Sequence, residues 1–68
     1  MIGSILTDRE KSVFLLLVQG LDTKEIGYEL SISEKTVRNH ISNVMQKLGS
    51  KSRAQAVVEL LRIRELEL

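Results

Sequence analysis

The 68-residue chain contains no cysteine, no proline and no tryptophan, and its only aromatic residues are Phe14 and Tyr28. Without cysteine there is neither a disulfide framework nor a thiolate zinc site. The single histidine, His40, excludes a histidine-rich metal cage and leaves no partner set for Ser-His or Cys-His catalysis. No metal, no cofactor and no enzymatic activity are therefore expected. The longest apolar run, Val13 to Val18, is six residues, far short of the ~20 that span a bilayer. No charged stretch leads into an apolar one near the start, so no secretory signal is visible, and the expected location is the cytoplasm. No membrane partner is expected.

What remains is enough for one small domain. Hydrophobic residues make up 43% of the chain, which argues against disorder. A domain of this size buries only about 60% of the surface its unfolded chain exposes, so its stability margin is thin. With no proline and with apolar residues in helical rather than alternating spacing, the pattern predicts an all-α fold of four helices. A tail over residues 1–6, ending in Leu6, precedes a domain over residues 7–68.

The first helix is expected over residues 7–19. Thr7 and Glu10 have capping-box spacing, and Val13, Phe14, Leu17 and Val18 form its core stripe. Gly20 stops it. The second, over residues 23–30, starts from a second capping box, Asp22 with Glu25, and carries only Ile26 and Leu30 as its apolar seam. Ser31-Ile32-Ser33 is a short connector with an apolar plug. Ser33 caps a third helix over residues 34–48, ended by Gly49, and Ser52 caps a fourth over residues 52–64. Two short helices joined by a tight turn and flanked by supporting helices outline a helix-turn-helix unit.

The third helix carries the more specific signal. At ~100° per residue, Val37, Ile41, Val44 and Leu48, with Met45 at the edge, fall on one face. Lys35, Arg38, Asn39, Ser42 and Gln46 fall opposite, and Thr36, His40, Asn43 and Lys47 occupy a third arc. A helix entering a major groove needs this division: one face held by a core, one meeting base edges, one following a phosphate strand. An ordinary solvated face mixes Glu with Lys in i,i+4 pairs. Residues 35–52 contain no carboxylate.

The formal charge of +1 looks neutral, but it is unevenly distributed. Residues 1–30 carry −2, residues 31–53 carry +4 (Lys35, Arg38, Lys47, Lys51 and Arg53 against Glu34), and residues 54–68 carry −1. The basic block coincides with the third helix. The fourth helix has more apolar surface than one docking face requires. Its surplus, Val58 and Leu61 beside the small Ala54, fits either a two-fold dimer contact, the preferred reading, or a cover formed by Ile2 and Ile5 of the tail.

Several blocks at consistent spacing resemble the DNA-binding domain of LuxR/FixJ/NarL-type transcription factors. They are Leu6-Thr7-Asp8-Arg9-Glu10, Thr23-Lys24-Glu25-Ile26, Leu30-Ser31-Ile32-Ser33, Thr36-Val37-Arg38-Asn39-His40 and Lys47-Leu48-Gly49. The resemblance extends over about residues 6 to 58. It implies a four-helix domain in which the second and third helices bind double-stranded DNA. The fourth would then join a homodimer through Ala54, Val57, Val58 and Leu61. By position it implies base contacts from Lys35, Arg38, Asn39 and Ser42, with Lys35 also able to reach a phosphate. Backbone contacts would come from Thr23, Lys24, Thr36, His40, Lys47 and Lys51. The stretch Ser33 to Asn43 and the Glu65-Leu66-Glu67-Leu68 ending resemble the small sporulation regulators of this family. That likeness implies action late in spore formation, in the mother cell, on spore-coat genes, with RNA polymerase as a candidate partner.

Two departures stand out: Gly27 where the family usually has alanine, and Ser50 where it commonly has an aliphatic residue. A glycine inside a helix costs ~0.5–1 kcal/mol relative to alanine, so both bear on stability. The length leaves no room for a phosphate-accepting receiver or an autoinducer-binding domain. Met1, with the likeness to the small regulators, favours a stand-alone chain over an excised output domain. Tyr28 is expected at the rim of the core or the edge of solvent, and Glu25 and Glu34 in capping or ion pairing. The competing class of function is a protein-interaction module whose basic face is incidental. Salt-sensitive binding to duplex DNA separates the two.

Overall fold

A computed structural model describes residues 5–67 as four helices: α1 (Asp8–Val18), α2 (Thr23–Leu30), α3 (Glu34–Leu48) and α4 (Arg53–Arg62). The all-α expectation holds, with no strand among the described residues. Ile2 and Leu68, to which parts of the sequence reading were assigned, lie outside the described residues.

Each helix starts on the residue its local chemistry indicates. Thr7 Oγ1 accepts from the Glu10 N–H at 3.1 Å while the Thr7 N–H donates to Glu10 Oε1 at 3.0 Å. Asp22 and Glu25 repeat this reciprocal arrangement at 2.8 and 2.9 Å. Ser33 and Ser52 accept from the N–H groups of Thr36 and Gln55. These bonds satisfy amide donors that the helix itself leaves unpaired. Gly49 closes α3 in the left-handed conformation at φ 67°.

The connector between α2 and α3 sets how the two helices meet. Ser31 sits at φ 58°, left-handed without being glycine, a conformation that costs a non-glycine residue roughly 1 kcal/mol. The reversal lets the Ile32 N–H reach the Gly27 carbonyl at 2.9 Å and packs Ile32 against the core. A Cβ on Gly27 would lie 2.8 Å from the Ile32 carbonyl oxygen. The glycine therefore offsets its helix penalty with a close approach of α2 to the connector.

α4 ends two residues earlier than expected from the sequence, at Arg62 in place of 64. Arg64 turns left-handed at φ 62°. The Glu65 and Leu66 N–H groups fold back onto the Leu60 carbonyl at 2.9 and 3.2 Å. The turn ends the helix and drives Leu66 into the core, where it is 1% exposed.

α3 is the hub, packing against α1, α2 and α4. Val37, Ile41 and Val44 meet Val13 and Phe14 of α1, Ile26 of α2, and Ala56 and Leu60 of α4 in one core, completed by Leu6 and Leu66. Leu17, Val18, Leu30, Met45 and Leu48 surround it half-buried. Leu6 is thus a core residue rather than the end of a loose tail. Its N–H and that of Ile5 donate to Glu65 Oε1 at 3.3 and 2.9 Å, tying the two ends of the chain together.

One charge lies within this core. The Glu10 side chain is 5% exposed and pairs with Lys47 Nζ at 2.5 Å. Lys47 Nζ also donates to the Ile5 carbonyl at 3.1 Å. Burial alone would push the Glu10 carboxyl up. The Lys47 and Thr7 hydrogen bonds and the ammonium charge outweigh it and hold the carboxyl below the ordinary carboxylate range.

Candidate nucleic-acid interface

Burying Val37, Ile41 and Val44 fixes the rotation of α3, and with it what the opposite face presents. Lys35, Arg38, Asn39 and Ser42 are all exposed, together with Asn43 and Gln46. The four residues assigned from the sequence to base edges therefore share one solvent-facing surface. At 15 residues, α3 is about 22 Å long, enough to lie along a major groove about 12 Å wide.

The residues assigned to phosphates divide into two groups. Lys24 in the first turn of α2 and Lys51 in the link before α4 are exposed, as is Lys35. Among the described residues these three ammonium groups form no ion pair within the chain. Thr36 and His40 lie half-buried along one flank of α3. The Thr36 hydroxyl is 2.8 Å from that of Ser33.

Thr23 and Lys47 stand apart from this surface. Thr23 is buried, and its Oγ1 donates to Glu34 Oε2 at 2.8 Å. A hydroxyl has one proton, and here it is already directed to a carboxylate. The Lys47 ammonium is drawn back to Glu10 and the Ile5 carbonyl. Helical spacing places Lys47 on the flank of α3, but Glu10 lies 37 positions away in the chain and leaves no local signal of the pairing.

Glu34 also has a role that spacing alone did not bring out. The same Oε2 that accepts from Thr23 lies 3.2 Å from Arg38 Nη2. An i,i+4 Glu–Arg pair is visible in sequence, but its tie to α2 is not.

The assigned α4 residues are graded in exposure. Val57 and Leu61 are half-buried against the core, Ala54 is exposed and Val58 is 61% exposed, while Ile63 nearby is 41% exposed. Tyr28, expected at the core rim or solvent edge, is 88% exposed. No helix among the described residues is long and apolar enough to cross a membrane.

The geometry is that of a buried-backed, cation-bearing helix held in a helix-turn-helix frame. Residues 4–60 match the model of the family described as bacterial regulatory proteins, luxR family. The chain belongs to the luxR family. It is a helix-turn-helix, DNA-binding transcription regulator, as the sequence resemblance implied. This luxR-family chain is 73% identical over 64 residues to the spore germination protein GerE of Bacillus subtilis (strain 168), covering 94% of the chain and 86% of that protein. It is 50% identical over 58 residues to the transcriptional regulatory protein DegU of Brevibacillus brevis, covering 85% of the chain but only 25% of DegU. A solved structure of the transcription factor GerE superimposes with a TM-score of 0.93 at 58% identity, covering 96% of the chain and 97% of that structure.

Proposed function

We propose that two copies of this chain join along α4 and read paired half-sites in duplex DNA, each placing α3 in a major groove. The observation that carries this reading is the α3 surface itself: Lys35, Arg38, Asn39 and Ser42 are exposed together while Val37, Ile41 and Val44 opposite them are buried. Arg, Asn and Ser have donor and acceptor geometry suited to base edges. Lys24, Thr36, His40 and Lys51 then meet the flanking phosphates. Thr23 contributes through the amide end of α2, where the helix dipole favours an anion, because its hydroxyl is held by Glu34. Lys47 is assigned to holding α1 on α3 and not to a phosphate, because Glu10 already neutralises it.

The half-sites are assigned to genes of late sporulation, those of the spore coat among them, and the chain acts in the cytoplasm of the mother cell. Supporting this is the 73% identity to a protein named for spore germination. RNA polymerase is proposed as the further partner at such promoters. One family relative, DevR/DosR of Mycobacterium tuberculosis, is named a DNA-binding transcriptional activator. A dimer is supported by the exposed Val58 and by size, since a single small helical reader buries only ~600–1,000 Å² on DNA. No catalytic role is assigned.

A salt titration of duplex binding tests the DNA contact. Two phosphate-facing cations per copy, Lys24 and Lys51, predict a log–log slope of about −2 per copy, at about −0.9 per phosphate neutralised. Salt-independent binding, or none at low salt, overturns the reading.

A further inference from the structure

Glu34 is the single carboxylate between residues 31 and 53, and it lies in the first turn of the helix that presents the DNA-reading surface. A negative charge there opposes a polyanion, so its position calls for a compensating role. The α3 dipole favours an acid in this turn, but it does not determine where the carboxylate points.

The contacts do. Glu34 Oε2 accepts from the hydroxyl of buried Thr23 at 2.8 Å and pairs with Arg38 Nη2 at 3.2 Å. One oxygen thus links the start of α2 to the guanidinium on α3. Both side chains of the pair are about half exposed, so the pair adds little to folding stability. Its effect falls on where the guanidinium points. The contact is an ion pair at one edge of the guanidinium, and it leaves the five-donor fork of Arg38 for the O6 and N7 acceptors of a guanine.

The geometry points to Glu34 as the positioning residue for Arg38: anchored by Thr23, it holds the guanidinium toward the base edges and away from the phosphate strand. Glu34 acts through Arg38, so the inference rests on the reading that Arg38 meets a base. Without the anchor, Arg38 is free to pair with any nearby phosphate, a contact that carries no sequence information.

Site selection from random duplexes with the full chain, Glu34→Gln and Arg38→Ala tests this, with urea unfolding to confirm that each variant folds. Arg38→Ala identifies the base position that Arg38 reads. Glu34→Gln is expected to reduce preference at that same position by at least about threefold, out of the roughly 5- to 150-fold that a bidentate base contact supplies. Affinity for random duplex is expected to stay level or rise, because an anion has been removed. In the Arg38→Ala background, Glu34→Gln should then change preference no further. Thr23→Val keeps the carboxylate but removes its anchor, and should reduce preference at the same position.

Unchanged preference in Glu34→Gln overturns the proposal. So does an effect additive with Arg38→Ala, or a change at another base position, which would mean that Glu34 reads a base itself. These outcomes leave the reading of Arg38 intact. Equal loss on all duplexes in Arg38→Ala removes that reading and the proposal together.

Discussion

Arg38 and Lys47 sit nine positions apart on α3, and their surroundings assign them opposite work. Arg38 stands exposed beside Asn39 and Ser42, and its one partner, Glu34, is also at the surface. Arg38→Ala is expected to cost ~1–3 kcal/mol on a cognate duplex and to relax specificity at one base position; competition with single-base variants of the site measures both. Lys47 instead neutralises a buried carboxylate. Lys47→Met strands that charge, with an expected cost of about 1–3 kcal/mol in urea unfolding and an unchanged salt slope in DNA binding. The same pair gives the fold an acid sensitivity. The Glu10 carboxyl is held below its ordinary range in the folded chain, so it contributes stability above the unfolded value of ~4.3. That contribution fades as pH falls through the lower, folded value. Lys47→Met should remove most of this acid-dependent loss.

At the scale of the elements, what was legible in the sequence was local. The Thr7–Glu10 and Asp22–Glu25 boxes, the Ser33 and Ser52 caps and the stop at Gly49 each involve residues within a few positions of one another. So does the periodicity that buried Val37, Ile41 and Val44 and exposed the residues opposite. What was not legible depends on distant or unusual geometry. No glycine marks the left-handed turns at Ser31 and Arg64. The second of these shortens α4 and buries Leu66. Glu10–Lys47 and Thr23–Glu34 are tertiary pairs whose partners carry no mutual signal in sequence. α4 itself presents two surfaces: Ala56 and Leu60 face the core while Val58 faces solvent. Val58→Glu is expected to keep the helical circular dichroism signal and yield monomers in analytical ultracentrifugation. A dimer surviving that change would move the interface off this face.

For the molecule as a whole, the near-neutral charge of +1 conceals a separation of sign. The acidic residues of the first half largely serve caps and the Lys47 pair, while Lys24, Lys35 and Lys51 remain unpaired among the described residues. The core is small, drawn from all four helices and closed by Leu6 and Leu66 near either end of the chain. The proposed reading of DNA follows from that economy, because a single buried stripe on α3 both completes the core and fixes which face of the helix is left to solvent. The most direct test of this account is selection of bound sites from a random duplex pool by the unaltered chain. The account predicts an enriched site made of two half-sites related by a two-fold axis and centred about one helical turn, or a multiple of it, apart. A bound pool with no enriched sequence would contradict it.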